Sequence, residues 1–135
     1  MTSPDLLFES AVAARLLEHA RAGAPEEVCG VLGGEGERAT RSEAVPNVAS
    51  SPETRYELAP AETVEAIERV EEGSEHLGFY HSHPRGPPRP SATDEAEATW
   101  TGFVYCIVSL PESRIDAWRW TGERFEALDV AVESA

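Results

Sequence analysis

Hydrophobic and polar residues alternate along this chain in two periods, one typical of helices and one typical of strands. Apolar residues three and four apart predict a helix from Ser10 to about Ala22 and another that begins at Pro60 and ends at Gly73. A short helix is predicted over residues 91–100. Shorter apolar or alternating runs predict strands over residues 6–8, 27–32, 39–45, 56–58, 77–83, 102–110, 115–120 and 125–132. Because strands and helices are interspersed, the sequence predicts an α/β or α+β fold with a single β-sheet flanked by helices.

Glycine, proline and capping residues predict where these elements begin and end. Ser10 is expected to cap the first helix, and Gly33-Gly34 together with Glu35-Gly36 to form a turn after the strand at 27–32. The loop at 84–90 holds four prolines in seven residues, which excludes regular structure there. The 135 residues show no internal repeat and no linker, so residues 1–135 are expected to form one domain.

The charge of the chain narrows the classes of partner. Asp and Glu total 25 and basic residues total 11, all of them Arg, which gives a formal net charge of -14. The acidic residues are spread along the chain and predict a solvated acidic surface. Such a surface, with Arg in place of Lys, is typical of proteins that work in concentrated salt. A mesophilic protein that is simply acidic is the alternative. This negative field disfavours nucleic acid and anionic membranes as partners.

The setting expected from the sequence is a reducing cytoplasm. No apolar run approaches ~20 residues, the length that spans a bilayer. The first ten residues lack the basic and long apolar regions of a secretory signal. The two cysteines, Cys29 and Cys106, do not make a disulfide framework, and both lie in apolar predicted strands. We interpret them as small buried hydrophobic residues.

Two histidines and an aspartate form the strongest candidate for a chemical site. His81 and His83 stand two apart in a predicted strand, so both side chains point to one face with their Cα atoms about 6.6 Å apart. Asp94 follows the rigid proline loop at the third position of a helix capped by Ser91, where a carboxylate is favoured. If the loop brings Asp94 to both imidazoles, the three side chains make a zinc-binding set with a fourth position open to water. A nucleobase deaminase also binds zinc, but its Pro-Cys-x-x-Cys segment does not occur in this sequence.

A hydrolytic zinc site also needs a general base that is not itself a ligand. Glu27 is the candidate, because it stands where the chain enters a buried strand, an expensive place for an unpaired carboxylate. Position alone does not decide among the glutamates, and Glu26 is interpreted as a solvated neighbour. Ser91 has two interpretations here. It is either a helix cap only, or a cap whose hydroxyl also serves a reacting oxygen.

Three segments of the chain together resemble the JAMM (MPN) metalloproteases. They are Pro25-x-Glu27-x-Cys29-Gly30-x-Leu32, His81-x-His83-Pro84 and Pro90-Ser91-x-x-Asp94, and the resemblance spans about residues 6–132. It implies an MPN or cytidine-deaminase-like fold. It further implies one zinc ion held by His81, His83 and Asp94. Glu27 would deprotonate a zinc-activated water, and Ser91 would donate a hydrogen bond to the oxyanion.

The resemblance also implies a substrate class. Family substrates carry the C-terminal Gly-Gly of a ubiquitin-like protein modifier, and this compact chain resembles the archaeal, salt-adapted form of the family. The implied function is a zinc isopeptidase that removes such modifiers from lysines of target proteins. Two alternatives remain open. One is a protease that processes linear ubiquitin-like or sulfur-carrier fusions, and the other is a non-catalytic MPN interaction domain.

Three further residues are candidate substrate contacts. Arg85 and Arg89 flank the site in a very acidic protein, where they either engage an acidic patch of the substrate or keep the loop solvated. Trp100 follows Asp94 by one to two helical turns and is a candidate for lining the groove.

Overall fold

The interspersed helices and strands are present in the computed structural model, which describes residues 3–134. This part of the chain forms β1 (Leu6–Phe8), α1 (Ser10–Gly23), β2 (Cys29–Glu35), β3 (Arg38–Val45), α2 (Pro60–Glu71), β4 (Glu75–His83), α3 (Ala92–Glu97), β5 (Val104–Ser109), β6 (Arg114–Trp120), β7 (Phe125–Leu128) and β8 (Val130–Val132). Residues 1, 2 and 135 lie outside this description, so the predicted domain bounds of 1–135 stay a prediction.

The eight strands form one mixed sheet in the order β7-β6-β5-β4-β2-β3-β1-β8. Strands β4 and β5 are parallel, as are β1 with β3 and β1 with β8, and the other neighbours are antiparallel. Because only Asp129 separates β7 from β8, which lie at opposite edges, the sheet curls until its two edges approach each other. The predicted fold class, a single mixed sheet flanked by helices, is confirmed.

Helices cover both faces of the sheet, and each covered face has its own hydrophobic core. On one face α1 buries Val12 and Leu16 against apolar residues that include Phe8 of β1 and Val108 of β5. On the other face α2 buries Ala66 and Val70 in a second cluster that contains residues of β2, β4, β5 and β6. Strands β2, β4 and β5 are therefore buried on both faces. This explains why they are the most continuously apolar stretches of the chain.

The structure corrects two predicted boundaries on the first half of the chain. Ser10 is the first residue of α1 and not its cap, because Glu9 takes the N-cap position and makes no side-chain capping bond. Of the turn predicted over residues 33–36, the first three residues instead continue β2, with a bulge between Gly33 and Gly34. A Cβ at Gly34 would lie 1.9 Å from the Arg38 carbonyl oxygen, so glycine is required there for close strand approach. The turn itself lies at Gly36, whose φ is +60°.

Two predicted strands also differ from the structure. Residues 56–58 form no strand and contribute one isolated bridge, between Asn47 and Leu58. The strand predicted over 125–132 is interrupted at Asp129, whose N–H donates to the Asp5 carboxylate (2.8 Å) and whose carbonyl accepts from Leu6 (3.1 Å). The chain thereby changes its pairing partner from β6 to β1. Within residues 3–134, no helix is long and apolar enough to cross a membrane.

Candidate active site

The carboxyl end of β4 places two imidazoles side by side in the middle of the sheet. His81 and His83 point to the same face, as strand alternation requires, and their Nε2 atoms lie 3.2 Å apart. Both rings are buried, with His81 only 2% exposed. The Nδ1 atom of His83 lies 2.8 Å from the Pro87 carbonyl oxygen. Because a carbonyl can only accept, Nδ1 carries the proton, and Nε2 presents its lone pair to the site.

Asp94 is brought to these imidazoles by a capping box at the start of α3. The Ser91 hydroxyl accepts the Asp94 N–H (3.0 Å), and the Asp94 Oδ2 accepts the Ser91 N–H (2.9 Å). The same Oδ2 lies 3.2 Å from His81 Nε2 and 3.0 Å from His83 Nε2. Burial alone would raise the pKa of Asp94, but the close contacts of its carboxylate with the two imidazoles and with the Ser91 N–H hold that pKa well below its ordinary value. The carboxylate therefore faces the two rings in its ionised form.

The spacing of these three atoms matches a zinc site. In tetrahedral coordination with bonds of about 2.0–2.1 Å, neighbouring ligand atoms lie about 3.3 Å apart. The three separations here are 3.0, 3.2 and 3.2 Å. Burial lowers the pKa of His81 and so favours the neutral ring that a metal requires. Two imidazoles and a carboxylate whose lone pairs converge on one point therefore fit a divalent cation.

Glu27 lies beside this set, two residues before β2 begins. One of its carboxylate oxygens is within 4.8 Å of a ring nitrogen of each histidine, so a Glu27, His81 and His83 set is an alternative way to hold a metal. The shorter separations favour Asp94 as the third ligand. Glu27 is 7% exposed, and its Oε1 is buried with no hydrogen-bond partner within residues 3–134. Burial raises the pKa of Glu27 to about 7. The group is thus poised to exchange a proton near neutral pH.

A cavity of about 530 Å³ opens next to these groups, between the loop that follows β3 and the proline loop that follows β4. Glu27, His83 and Ser91 are among the residues that line it. Arg85 and Arg89 both line it as well. Arg85 is paired with Glu53 across the cleft at 2.9 Å, whereas no ion pair involving Arg89 is found within residues 3–134.

Trp100 lies outside this cavity. It is 39% exposed, packs edge-on against Phe79 and His76, and lines a smaller depression of about 210 Å³. Tyr56 lines the same depression. The structure therefore separates Trp100 from the two arginines, which the sequence had grouped with it as substrate contacts. Cys29 and Cys106 are both buried free thiols.

Two side chains that contact residues of the site were not predicted from the sequence. The ring of Tyr56 stacks on His81, with centroids 4.2 Å apart and planes inclined by 20°. The Ser82 hydroxyl, on the opposite face of β4 from the imidazoles, accepts the Val28 N–H at 2.9 Å. Neither residue stands at a spacing that predicts a ligand or a base. Only the tertiary structure brings the Tyr56 ring to His81 and the Val28 N–H to the Ser82 hydroxyl.

Comparison with known proteins gives a consistent assignment. Residues 9–121 match the Prok-JAB family, described as prokaryotic homologues of the JAB domain. The chain is 48% identical to a desampylase from Haloferax volcanii over 140 aligned residues, which cover 98% of this chain and 100% of that protein. It is 42% identical to a probable TtuB-protein conjugate cleaving protease from Thermus thermophilus over 90 residues, which cover 63% of this chain and 60% of that protein.

The fold is also shared with solved structures. A protein from Desulfitobacterium hafniense, solved in solution, superposes with a TM-score of 0.83 at 27% sequence identity, and the match covers 96% of this chain and 94% of that one.

Proposed function

Since the chain belongs to the Prok-JAB family, the prokaryotic homologues of the JAB domain, we propose that it is a zinc-dependent isopeptidase that removes ubiquitin-like protein modifiers from lysines of target proteins. One observation carries this proposal. Three atoms that can ligate a metal converge within 3.0–3.2 Å of one another, beside a buried carboxylate whose Oε1 has no hydrogen-bond partner within residues 3–134. A non-catalytic interaction domain has no use for an unpaired buried carboxylate, which costs stability.

The cation in this proposal is zinc, which His81, His83 and Asp94 would hold. When bound, zinc lowers the pKa of a coordinated water to about 7 and polarises the scissile carbonyl. The protein itself provides the orientation of the ligands. The Pro87 carbonyl fixes the ring of His83, and the Ser91 N–H fixes the carboxylate of Asp94.

Glu27 is the general base in this proposal and afterwards the general acid. Its oxygen without a partner is free to accept a proton from the attacking water, and the same proton can then pass to the leaving lysine amine. A pKa of about 7 suits both transfers, since the group neither holds the proton too tightly nor releases it too readily at neutral pH. No covalent intermediate is required, and burial keeps the Cys29 thiol protonated by raising its pKa to about 12.

In this proposal Ser91 is both a helix cap and a donor to the reacting oxygen, the second of the two interpretations given above. Its hydroxyl oxygen accepts the Asp94 N–H, which leaves its hydroxyl proton free to be donated. We assign that proton to the oxyanion that forms on the substrate carbonyl. Because its N–H also holds the Asp94 carboxylate, Ser91 links the helix cap, the third ligand and the reacting oxygen.

The relatives support the proposed substrate class. The relatives are a desampylase and a probable TtuB-protein conjugate cleaving protease, so we propose a ubiquitin-like modifier with a C-terminal Gly-Gly as substrate here. Arg89 is the better candidate of the two arginines for an acidic patch on such a substrate, because Arg85 already pairs with Glu53. Trp100 would contact a substrate that extends beyond Tyr56 into the smaller depression. Free thiols at both cysteines agree with a reducing, cytoplasmic setting.

The proposal is tested with two substrates that carry the same modifier. One joins its C-terminal Gly-Gly to a lysine of a target protein, and the other joins it to the target in a linear fusion. In molar salt, we expect the wild-type chain to release the modifier from the lysine conjugate and Glu27→Gln to lose this activity. Glu26→Gln, at the exposed neighbouring residue, is the matched control. Cleavage of the linear fusion alone would replace the proposal with a processing protease, and cleavage of neither would refute hydrolysis.

A further inference from the structure

Asn47 is the only side-chain amide in this chain, which contains no Gln and no other Asn. It lies just after β3, at the start of a loop of residues 46–59 that leads to α2. We refer to this segment as the 46–59 loop. An amide side chain offers two N–H donors and two acceptor lone pairs, and Asn47 uses all four. Because all four of its hydrogen-bonding positions are occupied, the Asn47 side chain fixes the main-chain groups that surround it.

The four hydrogen bonds of Asn47 reach two different parts of the active site. Its Nδ2 donates to the Glu27 carbonyl at 2.9 Å and to the Arg55 carbonyl at 3.1 Å. Its Oδ1 accepts the N–H groups of Ala49 and Glu57, each at 3.0 Å. Because one end of the amide faces only carbonyls and the other only N–H groups, the side chain has a single acceptable orientation.

The bond to Glu27 matters because the carboxylate of this residue is not held by hydrogen bonds of its own. Its Oε1 has no partner within residues 3–134, so the position of the group depends on its main chain. The Glu27 N–H donates to the Pro52 carbonyl at 2.7 Å, and the Glu27 carbonyl accepts from Asn47. The next residue, Val28, is held by the Ser82 hydroxyl. Asn47 is thus one of three anchors for the proposed base, and Ser82 is the only other side chain among them.

The other bonds of Asn47 enclose Tyr56. The Arg55 carbonyl and the Glu57 N–H, which lie on either side of Tyr56 in the chain, are both bonded to the same amide. The ring between them stacks on His81 at 4.2 Å. A change in the main chain at 55–57 would therefore change the surface that keeps the His81 imidazole in place.

We propose that Asn47 is a positioning residue that couples the proposed general base to a proposed metal ligand, with Glu27 held directly and His81 held through Tyr56. This inference rests on the proposed function, since it assigns the two groups their roles. Asn47 itself lies outside the reacting atoms and takes no part in proton transfer. The coupling keeps the carboxylate and the imidazole at a fixed separation, which hydrolysis requires to well within 1 Å.

The 46–59 loop also has main-chain hydrogen bonds that do not involve the Asn47 side chain. Variants of Asn47 can therefore remove the proposed coupling while these bonds still hold the loop. Val48 N–H donates to the Glu57 carbonyl at 2.9 Å, and Ala59 N–H donates to the Pro46 carbonyl at 3.1 Å. Asn47→Asp is nearly isosteric and keeps the two accepted bonds, but it replaces both donated bonds with a carboxylate oxygen facing two carbonyls. Asn47→Ala removes all four. Val48→Ala is the matched control, because Val48 is exposed and its main-chain bond is retained.

The test measures steady-state hydrolysis of the lysine conjugate together with hydrogen exchange of residues 53–58, in the zinc-loaded full chain well below its melting temperature. For Asn47→Asp we expect kcat to fall 10- to 100-fold with KM within about twofold of wild type, and amide exchange at 53–58 to accelerate at least about tenfold. Asn47→Ala should show both changes at least as strongly, and Val48→Ala neither.

Three results would overturn the coupling. The first is a kcat within twofold of wild type for both Asn47 variants. The second is a loss of kcat with unchanged exchange at 53–58, and the third is an equal loss in Val48→Ala. If Asn47 only stabilised the fold, its variants would keep the wild-type kcat per folded molecule. A loss of kcat per folded molecule therefore distinguishes positioning from a purely structural role. If the wild-type chain binds zinc but hydrolyses no conjugate, the proposed function fails, and the exchange measurement still decides whether Asn47 holds the 55–57 segment.

Discussion

Replacing Glu27 by glutamine separates the chemical role of this residue from its effect on stability. The carboxyl group is buried without a partner for Oε1 within residues 3–134, and burial raises its pKa to about 7 from an ordinary value of 4.5. At pH values between 4.5 and about 7, the Glu27 carboxyl group is protonated in the folded chain but ionised in the unfolded chain. Ionised Glu27 therefore destabilises the folded chain, and Glu27→Gln removes this cost.

The magnitude and its dependence on pH follow from the two pKa values. The cost is absent below pH 4.5, increases as the pH rises, and is complete above pH 7. Since one pKa unit corresponds to about 1.4 kcal/mol, the complete cost is at most about 3 kcal/mol, and water in the adjoining cavity reduces it. The part that develops between pH 5.5 and pH 8 is about 2 kcal/mol.

Chemical denaturation of the wild-type chain and of Glu27→Gln, at pH 5.5 and pH 8 in molar salt with chelator, measures how the stability gained by the substitution depends on pH. Chelator is needed because a bound cation would itself stabilise the carboxylate. We expect the gain in free energy of unfolding from Glu27→Gln to be larger at pH 8 by up to about 2 kcal/mol, while hydrolysis falls about 10²- to 10⁴-fold. Glu26→Gln, at an exposed position, should show neither effect. A pH-independent difference for Glu27→Gln would refute the buried, partnerless carboxylate, and full hydrolysis would refute its role as base.

The remaining predictions concern the cap, the strand packing and the metal. Ser91→Ala should lower kcat by about 10²- to 10³-fold and stability by about 0.5–2 kcal/mol in kinetic and denaturation assays, whereas Ser91→Thr should keep most of both. Gly30→Ala should cost at least about 1–3 kcal/mol in the same denaturation assay, because its Cβ would lie 2.4 Å from the Glu43 carbonyl oxygen and 2.5 Å from the Tyr80 ring. Gly73→Ala is the control, because within residues 3–134 no atom outside its two chain neighbours lies within 4 Å of the added Cβ, and an equal loss there would contradict the packing argument. Zinc at 100 times its Kd should stabilise the chelator-stripped protein by about 2.7 kcal/mol in thermal melts, and an unchanged melting temperature would contradict a site in the folded state.

The parts of the fold that depend on local patterns were predictable from the sequence. Residues 6–8 form the predicted strand, and Pro60 is the first residue of α2 as expected. The capping box of Ser91 and Asp94 was also readable, because it involves residues three apart in one helix. Strand alternation likewise placed both imidazoles of β4 on one face.

The parts that depend on contacts distant in sequence were not predictable. Gly33 and Gly34 read as a turn, and only the approach of β3 shows that they continue a strand. Val64 has the helical spacing of a buried residue but is 57% exposed, since Ala66 and Val70 take the inner face of α2. Tyr56 and Asn47 reach the site only through the 46–59 loop, and no short-range pattern indicates which side chains a loop delivers to a distant strand.

The measurement that tests the central claim most directly is a zinc titration of the chelator-stripped wild-type chain, with hydrolysis of the lysine conjugate as the readout. In the proposed site, the converging atoms of His81, His83 and Asp94 would hold a single ion. Activity should therefore rise in proportion to added zinc and stop rising at about one zinc per chain, while Asp94→Ala should stay inactive over the same range. Hydrolysis that is independent of zinc, or full recovery in Asp94→Ala, would contradict the account.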